Sequence, residues 1–98
     1  MLQGALGPFG LAQNQPNPFR ETTQIRFELP RGGEARIQIY DVAGRLVRTL
    51  VDQALPAGSH TVVWDGRDAA QNAVAGGIYF YRLTSGGETD IQRMHLVR

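Results

Sequence analysis

The sequence predicts an all-β, Ig-like antiparallel sandwich of about seven strands. Short runs of alternating apolar and polar residues recur about every ten residues, with turn-forming residues between them. No stretch keeps the periodicity of an amphipathic helix. The chain has 98 residues, of which 42% are hydrophobic, so it suits one domain with a single core. A closed β-barrel is the main structural alternative.

The first predicted elements follow a proline-rich turn at residues 13–23, where asparagine side chains bond their own backbone. Residues 25–29 and 36–40 alternate apolar with polar side chains, as expected for strands with one buried face. Residues 41–45 form a tight connection that contains glycine. The next strand is expected at residues 46–51, before another glycine-containing turn.

The second half of the chain predicts three more strands. Residues 59–65 alternate and end near the single tryptophan. After a polar loop at 66–77, residues 78–84 are rich in aromatic and β-branched side chains, which predicts a central strand. Residues 89–98 form the last strand, which reaches the final residue and makes that end part of the fold. A seventh strand is expected in the first twelve residues or in the proline turn.

Composition narrows the possible functions. Ten basic and nine acidic residues give a net charge of +1, which provides no field to attract nucleic acid or an anionic membrane. Cysteine is absent, which excludes disulfides and thiol chemistry. No segment approaches the roughly 20 apolar residues of a membrane span. Lysine is also absent, so a lysine Schiff base is excluded, and we expect no cofactor.

Few side chains form a plausible chemical site. Asp65, Asp68 and Asn72 are weak candidates for calcium ligands, but their order does not match the twelve-residue calcium loop. We therefore favour a turn in which these side chains bond backbone amides, and predict no metal. His60 and His95 are expected as exposed strand residues, since neither has evident ligand or catalytic partners.

Nothing in the sequence points to an enzyme or a lectin. No serine lies in a nucleophile-elbow motif, and none of the glycine pairs precedes a helix as a phosphate-binding loop does. Alternation places Tyr79 and Tyr81 on the face opposite Phe80, so at least one face is core rather than a carbohydrate platform. Trp64 is expected to anchor the core of the sandwich.

The chain divides into an apolar, glycine-rich N-terminal tail or linker at residues 1–12 and a sandwich at 13–98. No secretory leader is visible in the first ten residues, so an exported precursor would carry its signal elsewhere. An apolar extended tail suits docking on the open sheet edge of a neighbouring copy. Its candidate assembly residues are Leu2, Leu6, Phe9 and Leu11.

Six short motifs, taken in their order and spacing, resemble the type A C-terminal sorting domains of type IX secretion cargo. Those domains are similar to the Ig-like domain of the flagellar hook-capping protein. The resemblance covers residues 11–98. The motifs are residues 13–19 (QNQPNPF), 39–45 (IYDVAGR), 55–58 (LPAG), 64–68 (WDGRD), 77–83 (GIYFYRL) and 93–98 (RMHLVR). The sequence departs from the family at Gln15, where an aromatic is frequent, at residues 20–21, where Asn-Pro is frequent, and at Arg93, where lysine is common.

The resemblance implies a non-catalytic sorting or anchoring domain that bacterial secretion machinery recognises, at the end of a larger cargo protein. It implies an extracellular or cell-surface location after export through the periplasm. The residues that carry over are Asn14, Pro16, Asn17, Pro18 and Phe19 in the opening turn, and Arg93, Met94, Leu96, Val97 and Arg98 in the terminal strand. The alternative is a self-assembling subunit of an extracellular filament or surface scaffold, built by tail docking.

Overall fold

A computed structural model describes residues 9–98 and confirms the predicted Ig-like sandwich, with seven strands in two antiparallel sheets. Within these residues no helix is long and apolar enough to cross a membrane. The strands are β1 (Gly10–Leu11), β2 (Thr23–Leu29), β3 (Gly33–Tyr40), β4 (Leu46–Leu55), β5 (Gly58–Trp64), β6 (Gly77–Ser85) and β7 (Glu88–Leu96).

One sheet has the order β1-β2-β5 and the other the order β4-β3-β6-β7. The aromatic-rich strand β6 lies between β3 and β7, which confirms its predicted central position. The seventh strand is β1, in which Gly10 pairs with Glu28 and Leu11 with Phe27. The strand expected at residues 46–51 extends to Leu55, with two register irregularities against β3.

The core lies between the two sheets and follows the alternation of the strands. Trp64 is fully buried at its centre. Its ring lies 5.8 Å from the ring of Phe19 and 5.3 Å from that of Tyr79, in tilted and edge-to-face arrangements that aromatic pairs favour. Tyr79 and Tyr81 are buried, whereas Phe80 faces outward and is half-buried. The expected separation of these aromatics and the anchoring role of Trp64 are both confirmed.

The connection between β3 and β4 is closed by one aspartate. The Asp41 Oδ1 atom accepts hydrogen bonds from the backbone N–H groups of Ala43 and Arg45, each 2.9 Å long. The Arg45 Nε donates to Asp41 Oδ2 at 2.9 Å. The backbone N–H of Arg45 is the main cause that lowers the pKa of Asp41. Gly44 supplies the positive φ of 83° that this tight turn requires.

Candidate recognition surface

The proline turn lies along the outer edge of β7, and we call residues 13–19 the strap. The backbone N–H of Phe19 donates to the carbonyl of His95 at 3.0 Å, and the N–H of Val97 donates to the carbonyl of Phe19 at 2.8 Å. Phe19 and Leu96 thus form a parallel bridge. The two segments that the sorting-domain resemblance singled out, at opposite ends of the sequence, are therefore hydrogen-bonded to each other.

Two side chains of the strap also bind the backbone of β7. The Asn17 Oδ1 atom accepts a hydrogen bond from the His95 N–H at 2.9 Å. The Gln13 Nε2 atom donates to the carbonyl of Arg93 at 2.7 Å. Because an exposed strand edge invites pairing with another chain, these bonds protect the edge of β7 that would otherwise be open.

A buried polar network holds the strap from the inside. The Asn14 side chain is 1% exposed and donates to Thr23 Oγ1 at 3.0 Å and to the Pro16 carbonyl at 3.2 Å. The Thr23 hydroxyl donates to the same carbonyl at 2.8 Å. The peptide bonds before Pro16 and Pro18 are cis. Every buried polar side chain here is paired, so the network specifies one conformation for the strap.

The hydroxyl of Tyr81 ties the strap to the central strand β6. It accepts a hydrogen bond from the Asn14 backbone N–H at 2.8 Å and donates to the Ala12 carbonyl at 2.9 Å. The Tyr81 side chain is fully buried, and burial raises its pKa to about 12. A neutral hydroxyl at this position can donate and accept at once, whereas a phenolate could not donate to Ala12.

Arg98, which follows β7, closes the loop after β5. Its Nη2 atom donates to the Gly66 carbonyl at 2.7 Å, and its Nε atom donates to the Val74 carbonyl at 2.9 Å. Gly66 has φ of +71°, and a Cβ there would lie 2.7 Å from Arg98 Nη2. A Cβ on Gly76 would lie 3.0 Å from the backbone nitrogen of Arg98. Glycine is therefore favoured at position 66 by its positive φ, and at position 76 by the close approach of the Arg98 backbone.

The candidate sorting residues divide by burial into two groups. Those in the core, which hold the strap and β7 in place, are Asn14, Phe19, Met94 and Leu96. Those exposed to solvent are Pro16, Asn17, Pro18, Arg93 and Arg98, with Val97 half-buried. We call these exposed residues, together with the half-buried Val97 and the exposed His95, the strap–β7 surface.

The candidate metal ligands are engaged in turns. Asp65 Oδ1 accepts a hydrogen bond from the Arg67 N–H at 3.1 Å. Asp68 Oδ1 accepts from the N–H groups of Ala70 and Asn72 at 2.9 and 3.0 Å. Within residues 9–98, no group of three or more histidine, aspartate or glutamate side chains is placed to hold a metal ion. The geometry is that of the favoured turn interpretation.

The histidines occupy different environments. His60 stacks on Phe27 with ring centroids 5.3 Å apart, and its Nε2 atom lies 2.7 Å from the Pro56 carbonyl. His60 is thus half-buried rather than exposed as expected. His95 is exposed on the outer face of β7, as expected.

Part of the predicted assembly tail packs in its own chain. Leu11 is 8% exposed and Phe9 packs against the same core. The Leu11 N–H donates to Asp90 Oδ2 at 2.8 Å, which links β1 to β7. Leu2 and Leu6 lie outside the described residues. The tail boundary at residue 12 remains a prediction, although the last residues of the tail contribute a strand to the sandwich.

We expect the substitution Arg98→Ala to loosen the loop at residues 67–75 without unfolding the domain. It removes both charge-assisted bonds to backbone carbonyls, an expected loss of about 1 kcal/mol at this exposed position. Hydrogen exchange followed by NMR should show faster exchange of the loop amides. Arg93→Ala is the matched control, since it removes an exposed cation of β7 for which residues 9–98 show no side-chain hydrogen bond or ion pair. Equal exchange in the two variants would contradict the closing role of Arg98.

Comparison with known proteins identifies the family and the fold. A search of curated proteins found no match. Among solved structures, the chain is similar to dimeric latent PorU from Porphyromonas gingivalis (TM-score 0.71, 23% identity, 94% of this chain and 10% of that one). It is similar to PorZ of the same organism, with a TM-score of 0.62 and 23% identity over 88% of this chain and 11% of PorZ. It is also similar to FLGD from P. aeruginosa, with a TM-score of 0.58 and 25% identity over 78% of this chain and 60% of FLGD.

These likenesses concern the fold, and the chain spans only about a tenth of PorU or PorZ. The family assignment comes from a family model. The model of the FlgD Ig-like domain matches residues 13–88, which include the strap, all of β2 to β6 and the start of β7. This domain is a structural, non-catalytic fold. The chain belongs to the FlgD Ig-like domain family.

Proposed function

We propose that this domain is a non-catalytic sorting or anchoring module, recognised by a bacterial type IX-like secretion apparatus through the strap–β7 surface. The observation that carries the proposal is the bridge between Phe19 and Leu96, with the Asn17 side chain on the His95 N–H. Two motifs that resemble the opening and the end of sorting domains form one surface. A receptor for that surface would bind the folded domain and not the isolated C-terminal peptide.

The chemistry of the surface suits recognition by protein. It combines proline rings, which are rigid, with the exposed cation of Arg93 and the ring of His95. The related folds support the same class of role. PorZ is described as an essential bacterial surface component of the type IX secretion system, and FlgD from Xanthomonas campestris as essential for flagellar assembly through hook capping. We therefore infer protein partners, a location outside the cytoplasm and a preceding cargo domain in the full protein.

The proposal is tested by attaching the domain to the C-terminus of a folded reporter in a bacterium with a type IX system. Arg93→Glu and His95→Glu reverse or add charge on the strap–β7 surface without touching the core. Each is expected to reduce export by about tenfold, the effect of about 1.4 kcal/mol on a recognition equilibrium. Arg26→Glu, an exposed arginine of β2 in the other sheet, is the matched control.

Thermal unfolding of each purified domain separates loss of recognition from loss of fold. Export of the β7 variants at the level of the Arg26→Glu control, with all domains folded, would contradict the proposal. A reporter that carries only residues 88–98 provides a second test. Efficient export of that reporter would show that the linear end, and not the folded surface, is recognised.

The alternative function is that of a self-assembling scaffold subunit. It is supported by the similarity to FlgD from Xanthomonas campestris, which is described in connection with hook capping in flagellar assembly. The role proposed for the tail in that alternative receives less support from the structure. Phe9 and Leu11 pack against the chain's own core, and β1 pairs with β2 of the same chain. Only residues 1–8 would remain to dock on a neighbouring copy.

A further inference from the structure

The edges of the two sheets are not equally protected. The strap covers β7, and the carboxylate of Asp90 binds the Leu11 N–H of β1. A loop covers the edge of β4 near its start, since the Ala69 N–H donates a hydrogen bond to the Val47 carbonyl at 3.2 Å. Strand β5 differs, because within residues 9–98 only β2 forms backbone hydrogen bonds with it.

The hydrogen bonds of β2 show which of its residues face β5. The Arg26 carbonyl accepts from the Ala12 N–H, and Gln24 exchanges both backbone bonds with Gln15. Ala12 and Gln15 lie on the β1 side of the sheet. Successive residues of an antiparallel strand direct their N–H and C=O groups to opposite neighbours. The odd-numbered residues of β2 therefore bond to β5.

The register then identifies the free groups of β5. Ile25 pairs with Val62 and Phe27 pairs with His60, so these residues of β5 direct their backbone groups to β2. The residues between them direct their N–H and C=O groups away from the sheet. These outward residues are Ser59, Thr61 and Val63, and each is exposed.

The sequence of β5 lacks the features that usually prevent edge pairing. It contains no charged residue and no proline, and its register against β2 is continuous. Strand β4 carries Arg48 and Asp52 and has two register irregularities, which bend a strand away from a partner. The side chain of Val63 is also 51% exposed on this strand. Among residues 9–98, β4 and β5 have an uncovered stretch of edge, and β5 is the one suited to pairing.

We propose that β5 pairs with β5 of a second copy of this chain, antiparallel and centred on Thr61. In that register Thr61 lies opposite Thr61 of the second copy, and Ser59 lies opposite Val63. All outward backbone groups of the three residues then find partners, and no charged side chains meet. A second copy carries the same uncharged strand, so the pairing joins two edges that each lack the usual protection against pairing. The two three-stranded sheets become one continuous sheet, and two-fold symmetry closes the assembly at a dimer.

The interface is small, so we expect a weak dimer with a Kd in the range of about 0.1–1 mM. Sedimentation equilibrium of the full 98-residue chain measures it. Thr61→Lys and Thr61→Glu each place like charges opposite each other at the centre, and each is expected to weaken dimerisation about tenfold or more. An equimolar mixture of the two variants should restore it, since Lys then lies opposite Glu. Thr49→Lys, which changes an exposed residue of β4, is the matched control and should dimerise like the unmodified chain.

A second measurement reports the register directly. As protein concentration rises, amide exchange should slow at Ser59, Thr61 and Val63, and not at His60 and Val62, whose backbone groups already face β2. The proposal is overturned if the chain stays monomeric up to about 1 mM. It is equally overturned if the equimolar mixture of the two Thr61 variants remains monomeric, or if a chain that begins at residue 9 no longer dimerises. The last result would assign the edge to the N-terminal segment.

Discussion

The substitution Phe19→Ala is expected to lower the free energy of unfolding by about 3–5 kcal/mol. The Phe19 ring is 2% exposed and packs against Trp64 at the centre of the core, so its removal leaves a cavity beneath the strap. Since small domains are stable by only about 5–15 kcal/mol, this loss is a large fraction of the total. Urea unfolding followed by tryptophan fluorescence measures it.

The effect should reach β7, because the backbone of Phe19 bonds to His95 and Val97. Amide exchange of Val97 is expected to accelerate more than that of β3, since among residues 9–98 the backbone of β3 bonds to β4 and β6 and not to the strap. Arg20→Ala changes the neighbouring exposed residue and should cost less than about 0.5 kcal/mol. A loss below about 1 kcal/mol for Phe19→Ala would mean that the strap is not part of the cooperative fold.

The substitution Tyr81→Phe is expected to cost about 1–3 kcal/mol, although it removes only one oxygen atom. The buried Asn14 N–H loses its acceptor and the Ala12 carbonyl loses its donor, while the ring continues to fill the core. The same urea titration measures this loss. Tyr40→Phe is the control, since the Tyr40 hydroxyl lies on the outer face, where it donates to Gln38 and accepts from Arg82 outside the core.

The same hydroxyl should make the domain sensitive to alkali. Burial raises the pKa of Tyr81 from 10.0 to about 12, so the unfolded chain loses this proton at a lower pH than the folded chain does. The contribution to stability is complete below pH 10 and is lost as the pH rises towards about 12. Burial raises the pKa of Tyr79 in the same direction. Tyr81→Phe should therefore reduce, but not abolish, the fall in stability over this range. An unchanged fall would contradict a buried neutral Tyr81.

Local patterns predicted the strands and their buried faces well. Alternation in residues 25–29 and 36–40 is set by the two-residue period of a strand, and it identified the core side chains of β2 and β3. The density of aromatic residues in β6 predicted its central position. The extension of β4 from residue 51 to Leu55 was missed, because the two register irregularities before Val51 disturb the alternation by which a strand is recognised.

The candidate site was predictable in its residues but not in its arrangement. The motifs at Asn17 and Leu96 were recognised separately, and no sequence signal joined them. The role of Tyr81 was missed, since a tyrosine in a core strand has the pattern of an apolar residue and its hydroxyl partner is distant in sequence. The contact between Gly66 and Arg98 was also not predicted from the sequence. The glycine in the polar loop is the one signal that could have suggested a close approach of another segment.

The all-β class, the order of the strands and turns, and the absence of cysteine and lysine chemistry could all be predicted from the sequence. These follow from composition and from interactions between near neighbours, which a linear pattern records. The folded structure was needed to show that the strap closes the edge of β7, that Tyr81 holds the strap, and that within residues 9–98 no second strand pairs with β5. Those properties depend on which distant segments meet, and hydrogen bonding between backbones is almost independent of the side chains that a sequence displays.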